Sequence, residues 1–70
     1  MNIYAKKGDK VKYIGLDQDQ INYGLGRDPR ELLVVGSDYF VEYTDVGNWS
    51  STVKLQGFEG EFNTVGFEDA

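Results

Sequence analysis

A two-residue alternation runs through residues 39–55, with one interruption. Both halves are rich in aromatic and β-branched residues, which is typical of strands with one buried face. The interruption, Asp-Val-Gly-Asn at residues 45–48, suits a short connection, so the stretch predicts an antiparallel hairpin. The residues in phase for the buried face are Tyr39, Val41, Tyr43, Trp49, Ser51, Val53 and Leu55. In this arrangement Trp49 is expected to be substantially buried.

Two further segments have the pattern of short strands. Residues 10–14 alternate lysines with apolar side chains, which places Val11 and Tyr13 inward and both lysines in water. Residues 62–67 are expected to form the last part of the domain, with a 3₁₀ turn at residues 63–64 before a final strand.

The size and composition of the chain indicate how these strands are held together. Seventy residues correspond to one domain. The sequence has no cysteine and no histidine, so neither disulfides nor the usual zinc ligands can supplement the apolar core. We therefore expect residues 1–70 to form a single all-β domain, a small barrel of about five short strands.

A long connection, GLDQDQINYGLGRDPRE, spans residues 15–31 and has no sustained periodicity. Connections of this length are often functional, and a Src-homology-3-like barrel has its longest loop after the first strand. Asp28 and Pro29 predict a single helical turn over residues 28–33, with Asp28 as its cap and Arg30 paired with a nearby carboxylate or carbonyl. The apolar residues that follow are expected to face the core: Leu32, Leu33 and Val35.

The charge is unevenly distributed along the chain. The formal net charge is −5. Residues 1–30 contain six basic and four acidic side chains, whereas residues 31–70 contain one basic side chain, Lys54, and eight acidic ones. This balance argues against tight binding to a phosphate backbone, which depends on lysine and arginine. The lack of cysteine and of long apolar runs predicts a cytoplasmic protein with no signal peptide and no membrane span.

Motifs for catalysis or metal binding fail on inspection. Residues 17–19, Asp-Gln-Asp, begin like a calcium loop, but the later ligand, glycine and glutamate positions do not match. Residues 24–26, Gly-Leu-Gly, lack the third glycine and the preceding strand of a phosphate-binding loop. No serine has a histidine or cysteine partner in this chain. The sequence therefore predicts no enzyme, no cofactor, no metal ion and no catalytic residue.

The prediction for function is an interaction module, with a protein as the expected partner. Phe40 lies out of phase with the core residues, so it faces outward beside Glu42. An exposed apolar patch marks a binding site, and aromatic and arginine side chains dominate binding energies. In an alternative arrangement the long loop folds over Phe40 and buries it. The residues predicted to form the interaction surface are Tyr23, Leu25, Arg27, Arg30 and Phe40.

Two other functions are compatible with the sequence. Exposed aromatic rings next to the basic segment Lys6–Lys12 could bind nucleic acid. Alternatively, the chain could be a phage-type inhibitor whose acidic side chains imitate nucleic-acid phosphates. That acidic face would consist of Glu31, Asp38, Glu42, Asp45, Glu59 and Glu61. Binding that weakens steeply with salt would indicate phosphate contacts by lysines, whereas a mimic would bind a basic partner.

The chain also resembles a group of small proteins from phages and prophages of Gram-positive bacteria. The stretches that carry the resemblance are GDKVKYIG (8–15), DPRELL (28–33), VGSDYFVEY (35–43), WSSTVKL (49–55) and FNTVGFE (62–68). The resemblance implies a Src-homology-3-like barrel in a bacterial or phage cytoplasmic setting. It implies no activity, cofactor or site residue.

Overall fold

A computed structural model describes residues 1–23, 26–48 and 50–70, with only the backbone of Tyr23. Its elements in chain order are β1 (Lys10–Tyr13), α1 (Gln18–Tyr23), β2 (Asp38–Val46), β3 (Ser51–Leu55), β4 (Phe62–Asn63), a 3₁₀ turn (Thr64–Gly66) and β5 (Phe67–Asp69). The strands form one sheet in the order β4-β3-β2-β1-β5, and all neighbours are antiparallel. The all-β prediction and the predicted hairpin, β2 with β3, are thus confirmed.

Strand β2 lies at the centre of the sheet and connects its two halves. Its first residues pair with β1, with Val11 opposite Tyr39, and its later residues pair with β3. The register shifts between Val41 and Tyr43, because two residues of β2 occupy one step along β3. Such a β-bulge bends a strand and increases its twist. The bend allows one strand of nine residues to serve both halves of the sheet.

The bulge also changes which side chains of β2 face the core. Val41 is fully buried, as predicted, and so are Val53 and Leu55 on β3. After the extra residue the alternation changes phase, so Thr44 lies opposite Val53 and Tyr43 is exposed. The prediction that Tyr43 faces the core is therefore wrong. The prediction for Trp49 concerns a residue outside the described ranges.

The core lies between the two halves of the sheet. It consists of Val11, Tyr13, Leu33, Val41, Val53, Leu55, Phe62 and Phe67. Tyr13 packs against Phe67 with ring centroids 5.5 Å apart. The predicted 3₁₀ turn is confirmed, and Asn63 caps it by accepting a hydrogen bond from the Val65 amide at 3.2 Å.

The connection from β1 to β2 contains a short helix, α1, that the sequence analysis did not predict. Asp17 and Gln20 form a reciprocal capping box at its start. The Asp17 carboxylate accepts from the Gln20 amide at 2.8 Å, and the Gln20 side chain accepts from the Asp17 amide at 3.0 Å. The spacing Asp-x-x-Gln is thus the signal that could have located this helix.

The helical turn predicted at residues 28–33 is present. The Asp28 carboxylate caps it by accepting from the Arg30 amide at 2.9 Å, and the Leu33 amide donates to the Pro29 carbonyl at 2.9 Å. Pro29 and Leu33 are buried, because residues four apart share one face of a helical turn.

Two residues of this segment were assigned to the core and are exposed instead. Leu32 points away from the buried side of the single turn, and Val35 occupies the corner of a second turn over residues 34–37. The positive φ of Gly36, 88°, reverses the chain there before β2 begins. The prediction that Leu32 and Val35 face the core is therefore wrong.

Segments outside the strands contact both edges of the sheet. Beside β4, the Arg27 amide donates to the Glu61 carbonyl at 2.6 Å. Beside β5, the Met1 ammonium group donates to the Phe67 carbonyl at 2.8 Å. Each of these contacts occupies one carbonyl group at an edge of the sheet.

Candidate interaction surfaces

The residues predicted to form the interaction surface do not form one patch among the residues described. Leu25 lies outside those ranges, and only the backbone of Tyr23 is described, at the end of α1. Phe40 lies on β2, whereas Arg27 lies beside β4, two strands away. Arg30 belongs to the helical turn. Their joint use as one surface stays a prediction.

Arg30 links α1 to the helical turn. Its guanidinium makes a bidentate contact with the Asp28 carboxylate, with Nε to Oδ1 at 3.1 Å and Nη2 to Oδ2 at 2.8 Å. Its Nη1 donates to the Gln18 side chain at 3.0 Å. The hydrogen bonds from Arg30 lower the pKa of the Asp28 carboxyl, and the same pair raises the pKa of Arg30. The prediction that Arg30 pairs with a nearby carboxylate is confirmed.

Arg27 attaches the long connection to the turn between β3 and β4. Its Nη1 donates to the Glu59 carbonyl at 3.2 Å, and its side chain packs over Gly60. Next to it lies an open depression of about 310 Å³, lined by Arg27, Asp28, Glu31 and Leu32. Its mostly charged lining differs from that of ligand pockets, which are predominantly apolar.

The outer face of the sheet carries two exposed aromatic rings. Phe40 is 48% exposed and Tyr43 is 46% exposed, so the long connection does not bury Phe40. Both lie on β2, and the bulge turns Tyr43 outward. Lys10 lies opposite Phe40 and Lys54 lies opposite Tyr43, and three carboxylates belong to β2 and the segment before β4. We use the term outer face for the two rings and these carboxylates: Phe40, Glu42, Tyr43, Asp45 and Glu61.

Glu61 is fixed in position on the outer face. Its Oε1 accepts a hydrogen bond of 2.7 Å from the Thr52 hydroxyl. Partial burial raises the pKa of the Tyr43 hydroxyl, and the charge and hydrogen bond of Glu61 raise it further, followed by the charge of Asp45. The Tyr43 hydroxyl is therefore neutral at physiological pH and can donate a hydrogen bond.

The lysines of the segment Lys6–Lys12 lie among acidic neighbours. Lys7 forms an ion pair with Glu42 at 3.1 Å, and the Lys10 ammonium lies 3.9 Å from Asp38. Lys12 sits on β1 between Asp38 on β2 and Glu68 on β5. The segment Lys6–Lys12 is consequently a mixed-charge surface.

A second apolar surface lies at the end of the sheet where β1 ends and β2 begins. Its exposed fractions range from 47% for Ile14 to 65% for Val34 and Val35. The Ile14 amide donates to the Gly66 carbonyl at 2.8 Å, which brings it next to Val65 of the 3₁₀ turn. Val35 packs against Gly15. We use the term aliphatic end for this group: Ile14, Val34, Val35 and Val65.

The described part of the chain contains no cluster of side chains that could hold a metal ion. Among those residues, no three acidic side chains gather as a metal site would require. No described helix is both long and apolar enough to cross a membrane. The absence of an enzymatic function, a cofactor and a membrane partner stays a prediction.

Taken with the fold, these surfaces define the class: a small all-β domain whose prominent features are exposed apolar groups beside acidic side chains. The family model described as Bacteriophage T4 protein Y07B matches residues 2–69. The chain therefore belongs to this phage protein family. Comparison with curated proteins gives no match, and neither does comparison with solved structures.

Proposed function

We propose that this protein is a non-enzymatic interaction module that binds another protein through the aliphatic end. The observation that carries the proposal is the exposure of four large aliphatic side chains on neighbouring segments. A group of exposed apolar side chains marks an interaction site more reliably than a single exposed residue does. The side chains in question are Ile14, Val34, Val35 and Val65.

The backbone at the aliphatic end supports an apolar mode of binding. The Ile14 amide is bonded to Gly66, and the Gly36 amide donates to the Tyr13 carbonyl at 2.7 Å. With these donors already used, the surface offers mainly side chains to a partner. Removal of such apolar area from water contributes about 25 cal/mol per Å² to the driving force of association, before the entropic costs of binding are subtracted.

The charges beside the aliphatic end favour a protein over a nucleic acid or an anionic membrane. On the outer side of the sheet, the row next to Ile14 is Asp38, Lys12 and Glu68, with two carboxylates for one ammonium group. Phosphate groups would approach these carboxylates closely and be repelled. A protein surface with an apolar centre avoids this cost.

The proposal includes a Src-homology-3-like barrel as the detailed fold. It is supported by the strand order, by the central strand β2 shared between two halves of the sheet, and by the 3₁₀ turn between β4 and β5. The long connection after β1 is in the expected place. A Gram-positive host and a cytoplasmic setting belong to the same proposal, and the lack of cysteine fits the cytoplasmic setting.

A site-specific photo-crosslinker tests the proposal in the native host. Placed at position 35, it should give a discrete adduct with another protein, and the adduct should disappear when Val34→Ser and Val65→Ser are added. Position 46 is the matched control, because Val46 is also an exposed aliphatic residue but lies at the other end of β2. Equal adducts at both positions, no adduct, or only an adduct between two copies of the chain would contradict the proposal.

A further inference from the structure

We propose that the outer face is a second docking surface, which binds a basic segment of a protein partner. The segment would carry arginine or lysine side chains next to an apolar one. This inference concerns a different surface from the aliphatic end and does not depend on it.

The first argument is the position of the two aromatic rings. Phe40 and Tyr43 project from the central strand, where a globular sheet of this size has its broadest surface. Without the bulge the alternation would direct Tyr43 into the core beside Val41. Bulges are features that redirect side chains, and here the redirection creates an exposed pair of rings. Such rings bind both apolar groups and cations.

The second argument is the charge around the rings, which selects the occupant. Asp45 and Glu61 adjoin Tyr43, and in the described part of the chain neither carboxylate belongs to an ion pair. Lys54 lies opposite Tyr43 but donates from its ammonium group to the carbonyls of Leu55 and Phe58. Lys54 keeps its positive charge, so Tyr43 has two carboxylates and one ammonium group around it. This net negative charge attracts a positive partner and repels a phosphate-bearing one.

The third argument is preorganisation. Thr52 holds Glu61 through a short hydrogen bond, and Glu61 precedes the residue that pairs with Val53, which places it in the same region of the sheet as Tyr43. A partner would therefore meet acceptors that are already oriented, which reduces the entropic cost of binding. A second copy of the chain is disfavoured as the occupant, because each copy has a net charge of −5.

An NMR titration of the ¹⁵N-labelled full chain tests this inference with two synthetic peptides. In one peptide arginine alternates with leucine, and in the other glutamate alternates with leucine. The basic peptide should shift the amide signals of residues 40–45 and of Glu61, and added salt should weaken its binding. The acidic peptide should shift none of them. Failure of the basic peptide to bind, or equal binding of both, would overturn the inference.

Variants distinguish specific binding at the outer face from non-specific attraction of a basic peptide to an acidic protein. Tyr43→Ser and Glu61→Gln should each lower the affinity for the basic peptide by about fivefold, whereas Tyr43→Phe should retain most of the affinity. Glu59→Gln is the matched control, since it removes the same charge from the turn between β3 and β4. If Glu59→Gln lowered the affinity equally, net charge alone would account for the binding, and the inference would be overturned.

The aliphatic end supplies the remaining control. Val34→Ser with Val35→Ser should leave peptide binding at the outer face unchanged, while Glu61→Gln should leave the crosslink at position 35 unchanged. A loss confined to one surface therefore identifies which of the two proposals fails.

Discussion

Asp28 combines two stabilising contacts in one carboxylate. It caps the helical turn through the Arg30 amide and forms an ion pair with the Arg30 guanidinium. We expect Asp28→Ala to lower the melting temperature by several degrees, because both contacts are lost. Asp28→Asn should lower it less, since the amide oxygen still accepts from the backbone. Thermal unfolding of the three proteins measures these differences, and equal losses in both variants would contradict the capping role.

The pH dependence of the stability isolates the contribution of the ion pair between Asp28 and Arg30. The folded-state pKa of Asp28 is lowered from its ordinary value of 3.8 by the hydrogen bonds from Arg30. A lowered pKa contributes stability that is fully present above the unfolded-state value and is lost as the pH falls through the folded-state value. The advantage of the wild type over Asp28→Asn should therefore shrink below about pH 4. Denaturant unfolding at several pH values measures the stability difference between the two proteins. A difference that does not change with pH would contradict a contribution from the ion pair.

Gly26 is required where the long connection meets β4. Its φ is 99°, and a Cβ added there would lie 2.6 Å from the Glu61 carbonyl oxygen. Gly8 has a similar φ of 92° but no atom within 4 Å of such a Cβ. Gly8→Ala should cost about 1–2 kcal/mol for backbone strain, and Gly26→Ala about 1–3 kcal/mol more for the clash. Denaturant unfolding measures both, and equal costs would place the connection away from β4.

The hairpin shows what an alternating pattern can and cannot predict. The alternation located β2 and β3 and the burial of Val41, Val53 and Leu55, because a pleated strand directs successive side chains to opposite faces. It failed at Tyr43, since a bulge inserts one residue and the sequence carries no glycine there to mark it. Helix α1 was missed for a different reason: its six residues are too few for a helical periodicity, and only the capping box marks it.

The change of phase in β2 gives a direct test. Val41→Ala should destabilise the protein by about 2 kcal/mol, from two lost methyl-sized groups and the cavity they leave. Tyr43→Ala removes a much larger side chain, yet it should shift the melting temperature by only a few degrees, because the ring lies on the outer face. A larger loss for Tyr43→Ala than for Val41→Ala would mean that the alternation continues through β2 without a bulge.

Contacts across the whole molecule decide which of the predicted surface residues lie near one another, and local sequence patterns do not show those contacts. Local patterns placed Phe40 outward, which is where it lies. They could not show that the long connection returns to β4 and commits Arg27 to the Glu59 carbonyl, because that path depends on contacts between residues 32 positions apart. The aliphatic end was missed for the same reason, since its members come from three separate segments.

The distribution of charge over the molecule leads to a prediction about nucleic acid. The lysines of the first strand lie beside carboxylates, and the row next to Ile14 holds two acids for one base. Phosphate binding needs a continuous basic face. We therefore expect no binding to single-stranded or duplex DNA tighter than about 10⁻⁵ M at about 150 mM salt.

Removal of the intervening carboxylates should create the missing basic face. The variant that combines Asp38→Asn, Glu42→Gln and Glu68→Gln leaves Lys7, Lys10 and Lys12 without acidic neighbours across the strands. It should bind labelled oligonucleotides in fluorescence anisotropy, and the affinity should fall as salt rises. The matched control, Asp19→Asn with Glu31→Gln and Glu59→Gln, changes the net charge equally and should not bind. Tight, salt-sensitive binding by the wild type would show that its lysines already form a sufficient basic face. Equal gains in both variants would show that total charge rather than its arrangement decides the affinity.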